Sequence, residues 1–283
     1  MYPAPPAAFL SPIIHDLSAN PPIDALCAGY ESGEWRGKAL AEHVMEWLPE
    51  FSLSAEELRT FTPGTAVRLI KKAARLVYQT PKYGKRGEFG EIFLHIALRQ
   101  IYGSIPAISK IFWKDAVNST VKGFDAVHVI ANNASLELWL GEVKFYEDGS
   151  RAISDVATEL VAHTKTDYLR NEFMLITNKL DPASPHFEKL SRLLDQNTSL
   201  DTVFDAACIP IFITYESDAV RGSTKSDDAY RARLTAEITA LQEKLANKVP
   251  AGSLPIRIHL FILPLHTKTT LIQILDEMLK EWQ

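Results

Sequence analysis

Apolar positions along the chain alternate between helical and strand-like spacing, in an order that predicts a mixed α/β fold. In the segment 39–48, Leu40, Val44, Trp47 and Leu48 recur at helical spacing, and Pro49 is expected to end that helix. Ser54-Ala55-Glu56-Glu57 has the Ser-x-x-Glu form of a capping box, so a short helix should start there and stop before Pro63-Gly64. Residues 65–79 predict a third helix, with Val67, Ile70, Ala74 and Val77 on one face. Residues 1–22 are Pro-rich, end in Asn20-Pro21-Pro22, and read as an extended arm. Residues 1–80 are therefore expected to be an arm followed by mainly helical structure, serving as a docking region or as decoration of the fold.

Residues 81–283 carry the richer pattern. A helix is expected over 87–102, with Phe89, Ile92, Phe93 and Ile96 on its apolar face. Strand-like runs follow at 108–113, 124–130 and 136–143, and Asn132-Asn133 marks a hairpin between the last two. Downstream the pattern predicts a helix over 154–170, a buried strand at 173–177 and a helix at 187–194. A strand at 208–215, a charged amphipathic helix at 227–248, a strand at 256–263 and a closing helix at 269–282 complete it. Helix, hairpin strands, then alternating helix and strand give a mixed sheet flanked by helices on both faces.

Composition leaves this picture unchanged. The chain has 283 residues, 46% hydrophobic and 23% charged, which suits an ordinary globular protein with a core large enough to need no disulfides. Cys27 and Cys208 lie far apart and read as buried thiols in a reducing cytoplasm. The start of the chain lacks a basic n-region and a long apolar stretch, so no signal peptide is expected. No apolar segment has the length of a membrane span. Nor does any Gly-x-x-x-x-Gly-Lys-Ser/Thr motif supply a P-loop.

Charge changes it more. The net charge is −5, against the basic balance usual for a protein that grips DNA alone. Between Leu58 and Gly87, however, there is no acid, and Arg59, Arg68, Lys71, Lys72, Arg75, Lys82, Lys85 and Arg86 form a basic block. It is either a solvated helix face or a phosphate-binding surface. Its place directly before the carboxylate-bearing helix favours the second. The nucleic-acid-binding residues expected from it are Arg68, Lys71, Lys72, Arg75, Lys82, Lys85 and Arg86.

The candidate chemistry lies in Gly123-Phe124-Asp125 and Gly141-Glu142-Val143-Lys144, preceded by Glu88 and Glu91 on the 87–102 helix. Antiparallel pairing would bring Asp125 and Glu142 close, and strand alternation would turn Glu142 and Lys144 to one face and Val143 to the other. Two carboxylates and the Val143 carbonyl make a hard oxygen site suited to Mg²⁺, with Mn²⁺ an alternative. Such an ion assists phosphodiester hydrolysis, and Lys144 would orient or deprotonate the attacking water. Glu88 and Glu91 share a helix face that His95 continues. One of them, by preference Glu91, is expected at the metal site, while the other offsets the helix dipole. His163 and Lys165 are read as solvated, Asp155 as a helix cap, and His128 as structural and turned away from Asp125.

The order of a Glu-bearing helix, a Gly-x-Asp strand, a Glu-x-Lys strand and a following helix resembles the PD-(D/E)xK nuclease superfamily, with Phe124 where many members have proline. A closer resemblance covers most of the chain. Arg86-Gly87-Glu88-Phe89-Gly90-Glu91, Gly123-Phe124-Asp125, Trp139-Leu140-Gly141-Glu142-Val143-Lys144-Phe145-Tyr146 and the strand at 258–264 look like the HamA family of Hachiman anti-phage systems. The resemblance implies a restriction-endonuclease-like core with an N-terminal helical extension. It also implies a cytoplasmic, Mg²⁺-dependent DNase effector controlled by a helicase partner, HamB. Asp125, Glu142 and Lys144 would then be the catalytic core, with Glu88 or Glu91 assisting. Two other readings stay open: a catalytically silent adaptor that holds a helicase or DNA, and an unrelated α/β enzyme in which Glu142 and Lys144 are only a structural ion pair.

Overall fold

The computed structural model describes residues 4–78, 87–109, 123–131, 135–182, 184 and 186–283. The chain opens with strands β1 (Ser11–Asp16), β2 (Ile23–Cys27), β3 (Tyr30–Glu31) and β4 (Glu34–Trp35). Helices α1 (Gly37–Ser52), α2 (Ala55–Arg59), α3 (Ala66–Tyr78) and α4 (Gly87–Tyr102) follow, then strands β5 (Ile105–Ser109), β6 (Ala126–Ala131) and β7 (Leu136–Phe145). Next come α5 (Gly149–His163), α6 (Thr166–Lys179), α7 (Phe187–Leu193) and α8 (Leu200–Ala206), leading into β8 (Ala207–Glu216). The chain closes with α9 (Asp218–Arg221), α10 (Asp228–Lys248), β9 (Arg257–Leu265) and α11 (Lys268–Glu281).

Seven strands form one mixed sheet in the order β1-β2-β9-β8-β7-β6-β5. Its centre, β2, β9, β8 and β7, is parallel, and β1, β6 and β5 add antiparallel edges. Helices cover both faces, as the pattern predicted. Residues of α1, α3, α4 and α11 pack with Trp139, Phe145, Phe212 and Phe261 on one face. Residues of α5, α6 and α10 pack with Leu138, Leu140, Ile211 and Ile213 on the other. The four central strands are buried on both sides, as parallel strands between helical layers are.

Several expectations need correction. The first 80 residues are not only arm and helix: β1 pairs antiparallel with β2, and β2 lies inside the sheet against β9. Pro49 does not stop α1, which continues to Ser52; in the last turn Pro49 still accepts a hydrogen bond, 2.9 Å long, from the Leu53 N–H. On α3 the buried face is Leu69, Ala73, Ala74 and Val77, while Val67 is 67% exposed. The helix expected over 154–170 is two helices, α5 and α6, parted where the Thr164 N–H and hydroxyl both bond the Leu160 carbonyl. The run 173–177 is not a strand. Phe173 and Ile176 are buried at helical spacing from Leu169, while Met174 and Leu175 are 57% and 40% exposed. The expected strand at 108–113 begins earlier, at Ile105, and its residues 110–113 and the Asn132-Asn133 turn lie outside the described residues. The Ser54 capping box forms as read, with the Glu57 N–H on Ser54 Oγ and the Ser54 N–H on Glu57 Oε2.

Two glycines let α4 lie directly on β7. A Cβ at Gly90 would stand 2.6 Å from Val143 Cγ1 and 2.9 Å from Phe145 Cβ, and one at Gly141 would stand 2.5 Å from Leu94 Cδ2. The atoms met at Gly90 belong to a stiff β-branched side chain and to a Cβ, neither of which can swing aside. Gly90→Ala is therefore expected to destabilise the protein, the overpacking cost of about 1–3 kcal/mol exceeding the helix-propensity gain of about 1 kcal/mol. Urea unfolding checks this; an unchanged or higher midpoint would show that α4 does not rest on β7 this closely.

Candidate functional site

Strand alternation sorts β7 into two sets. Gly141, Val143 and Phe145 face α4, and Glu142 and Lys144 face α5. Glu142 and Lys144 therefore share a face and Val143 takes the other, as expected. Beyond the start of β6, the Asp125 N–H donates to the Gly141 carbonyl at 2.7 Å, and its carboxylate Oδ2 accepts from the Val143 N–H at 2.8 Å. Asp125 is thus clamped to the strand that carries Glu142 and Lys144.

Lys144 Nζ donates to Glu142 Oε1 at 2.8 Å and to Glu159 Oε2 on α5. The other Glu142 oxygen, Oε2, lies 3.2 Å from His163 Nδ1, also on α5, but neither atom finds a properly aimed hydrogen bond. His163 stacks on Tyr168, ring centroids 4.5 Å apart. The reading of His163 as solvated is corrected: it faces the Glu-x-Lys pair. Glu159, one helical turn before His163 on the helix after that strand, is the residue that local pattern missed. Their spacing puts them on one helix face, but only packing decides that this face covers β7.

The electrostatics follow from burial. Burial pushes the Glu142 carboxyl above its usual range, and Asp125 nearby adds to this, while His163 and Lys144 oppose it. Burial pulls the Lys144 ammonium down, but Glu142 and Glu159 outweigh it and hold the group well above its usual value. Lys144 is therefore fully charged near neutral pH. In this arrangement Lys144 is a hydrogen-bond donor and a fixed positive charge, suited to orienting water more than to deprotonating it. Burial lowers His163, and Glu142 and Glu159 reverse the sign and raise it.

A cavity of 480 Å³ opens beside this pair, where β7 ends and the two helical layers meet. Asp125, Val143 and Lys144 line it from the sheet, and Glu91 lines it from α4. Glu88 is half-buried on the first turn of α4 and is not among the lining residues. Glu142 sits behind Lys144, 4% exposed. Asp155 is not the cap of α5; Asp148 is, accepting from the Arg151 N–H at 3.0 Å.

The donors around the cavity are hard oxygens of the kind Mg²⁺ prefers. The buried Glu142 Oε2, without a hydrogen bond, is an acceptor that a cation would satisfy. Among the described residues, no three His, Cys, Asp or Glu side chains are grouped as a ready cage. Lys144 supplies the positive charge beside Glu142 in the structure as it stands.

The basic block lies elsewhere. Arg68, Lys71, Lys72 and Arg75 are exposed on one face of α3 and line an open groove of 710 Å³ with Gly64, Val67 and Leu76. Two of the four have partners: Lys72 pairs with Glu57, and Arg75 Nη2 donates to the Gln283 main-chain oxygen at 3.0 Å. Lys82, Lys85 and Arg86 lie outside the described residues. His128 is buried and turned to α4, with Nε2 3.4 Å from His95 Nδ1, and is structural as expected. Cys27 and Cys208 are free and buried. Among the described residues no helix is long and apolar enough to cross a membrane.

A family model described as HamA matches residues 8–279 of the chain. A protein of Escherichia coli (strain K12) named Anti-bacteriophage protein A is 22% identical over 267 residues, which cover 89% of this chain and 47% of that protein. The chain spans about half the length of that curated relative.

Proposed function

The chain belongs to the HamA family, and on that premise we propose that it is a metal-dependent DNase of anti-phage defence, controlled by a helicase partner. The observation that carries the reading is the placement of Asp125, Glu91 and Lys144 on one cavity, with Glu142 hydrogen-bonded behind Lys144. Asp125, Glu142 and the Val143 carbonyl would hold Mg²⁺ or Mn²⁺, which supplies Lewis-acid polarisation of a phosphoryl oxygen and stabilisation of the leaving oxygen. Lys144, held protonated by Glu142 and Glu159, donates to a phosphoryl oxygen or to the attacking water and offsets the charge that builds on phosphorus. Glu91, on the opposite wall, accepts from that water and aligns it. Asp125 keeps its position through the bond from the Val143 N–H.

The cationic face of α3 would bind the DNA backbone away from the cavity. With a net charge of −5, the chain gains from a second subunit that contributes grip on DNA. The relative's name, Anti-bacteriophage protein A, fits the defence role.

Cleavage of plasmid and linear DNA with Mg²⁺, with and without the co-expressed helicase, tests the reading. Wild type is expected to cut, chelation to stop it, and Glu142→Ala and Lys144→Ala each to abolish it. A second reading is favoured by one observation: Lys144 is bound to two carboxylates, as it would be in a purely structural network. Wild type and both variants behaving alike under every condition would sink the catalytic reading and put the catalytically silent adaptor ahead.

A further inference from the structure

The cavity beside Lys144 has a second wall on which hydrolysis places no demand. Arg151 stands there, in the first turn of α5, and Lys268, the first residue of α11, comes from the far end of the chain. Lys268 Nζ lies 5.0 Å from the centroid of the Phe145 ring, which fixes it beside the end of β7. Arg151 is held only loosely, its Nε 3.8 Å from Asp155 Oδ2 and its side chain 74% exposed. Burial lowers the Lys268 ammonium, and Glu147 and Glu216 do not restore it. Neither cation is thus consumed by a tight ion pair.

The same cavity is lined by the carboxylates of Glu91, Asp125, Glu147 and Asp148. A phosphodiester chain entering an acidic cavity would be repelled unless cations lay along its path. Among the described residues, Arg151 and Lys268 are the cations so placed, apart from Lys144, which its carboxylates hold. Helices α4, α5 and α11 all begin at this cavity, at Gly87, Asp148–Gly149 and Lys268, so their positive ends add to the attraction. The volume, 480 Å³, is in the range of sites that take a nucleotide-sized group.

We infer that Arg151 and Lys268 form a phosphate-binding subsite, gripping the nucleic-acid backbone at the phosphate next to the one cleaved. The inference rests on the nuclease reading and sharpens it. The guanidinium grips two phosphate oxygens in its planar fork, while the ammonium acts as a point charge. Because this contact is made before and during reaction alike, its loss should raise KM and leave kcat nearly unchanged.

The test is fluorescence anisotropy of the full chain with labelled single- and double-stranded oligonucleotides, in Ca²⁺ buffer over a salt series, beside Mg²⁺-dependent cleavage. Arg151→Gln and Lys268→Gln are each expected to weaken binding about 3–10-fold and to make the salt dependence shallower by about 0.7–0.9 per charge removed. Lys268→Arg should retain binding. Arg192→Gln, on α7 and paired with Glu188 rather than lining the cavity, should bind as wild type does. Circular dichroism confirms that the variants fold. Variants that bind like wild type, from a protein that cuts, overturn the subsite and leave the nuclease standing. A protein that binds through Arg151 and Lys268 but never cuts overturns the nuclease and upholds the grip. A wild type that neither binds nor cuts, with or without the co-expressed helicase, overturns both.

Discussion

Arg99→Met is expected to lower stability by about 3–5 kcal/mol, the cost of leaving a buried carboxylate without its cation. Arg99 joins α4 to α1 through Glu50, with Nε 2.5 Å from Oε1 and Nη2 3.2 Å from Oε2, and its Nη1 donates to the Ser104 carbonyl at 2.7 Å. Both side chains are buried. His95 Nε2 lies 3.2 Å from Glu50 Oε1, and the Ser104 hydroxyl bonds His128, so one polar network ties α1 and α4 to β6. Burial pushes the Glu50 carboxyl up, but His95 and Arg99 outweigh it and leave it below its usual value. A carboxyl depressed in the folded state contributes stability that is present above its unfolded pKa of 4.5 and is lost as pH falls through the folded value. The gap between wild type and Arg99→Met should therefore be widest near neutral pH and narrow under acid. Urea unfolding at neutral and acid pH reads both. Arg99→Met with Glu50→Leu should recover most of the loss, since an apolar pair can replace a buried ion pair at little cost. A loss under about 1 kcal/mol at neutral pH would show that the network is solvated rather than buried.

Lys144→Met should have the largest effect on cleavage, a fall of at least about 100-fold, the scale of losing one preorganised donor in a dry site. The geometry says why a single change reaches so far. Lys144 touches Glu142 and Glu159 and lines the cavity with Asp125 and Glu91, so its removal leaves Glu142 buried without its ammonium. The carboxyl of Glu142, already raised by burial, would rise further and hold a cation less well. Lys144→Met should thus also disable Glu142, and adding Glu142→Gln should cost little more, the non-additivity of residues that act as a unit. Single-turnover cleavage of labelled DNA reads the rates, and circular dichroism separates lost chemistry from lost fold. Lys144→Met cutting at the wild-type rate would mean that Lys144 serves structure only.

What local pattern could reach shows best in β7. Alternation alone put Glu142 and Lys144 on one face, and spacing alone set the bounds of α4 and its buried Phe89, Ile92, Phe93 and Ile96. It failed at β2, where Asp24 interrupts the apolar run Ile23–Cys27 and disguises a fully buried strand. That carboxylate is satisfied at a distance, by the Tyr102 hydroxyl at 2.6 Å and by His259 at 2.8 Å, and no local rule anticipates such partners. It failed again at 173–177, where a short apolar run fits a strand or a helix and only burial decides between them.

Short-range pattern accounts for the mixed α/β order, the capping box, the parity of Glu142, Val143 and Lys144, and the motifs that carry the family resemblance. Each depends on dihedral preference or side-chain period, which a few neighbouring residues set. Long-range packing alone lays α5 over Glu142 and Lys144, so that Glu159 and His163 become their partners. It alone brought Glu91, Asp125, Arg151 and Lys268 to one cavity. The reason is physical: which helix covers which face of the sheet is settled by the joint burial of residues far apart in the chain, and periodicity carries no record of that choice.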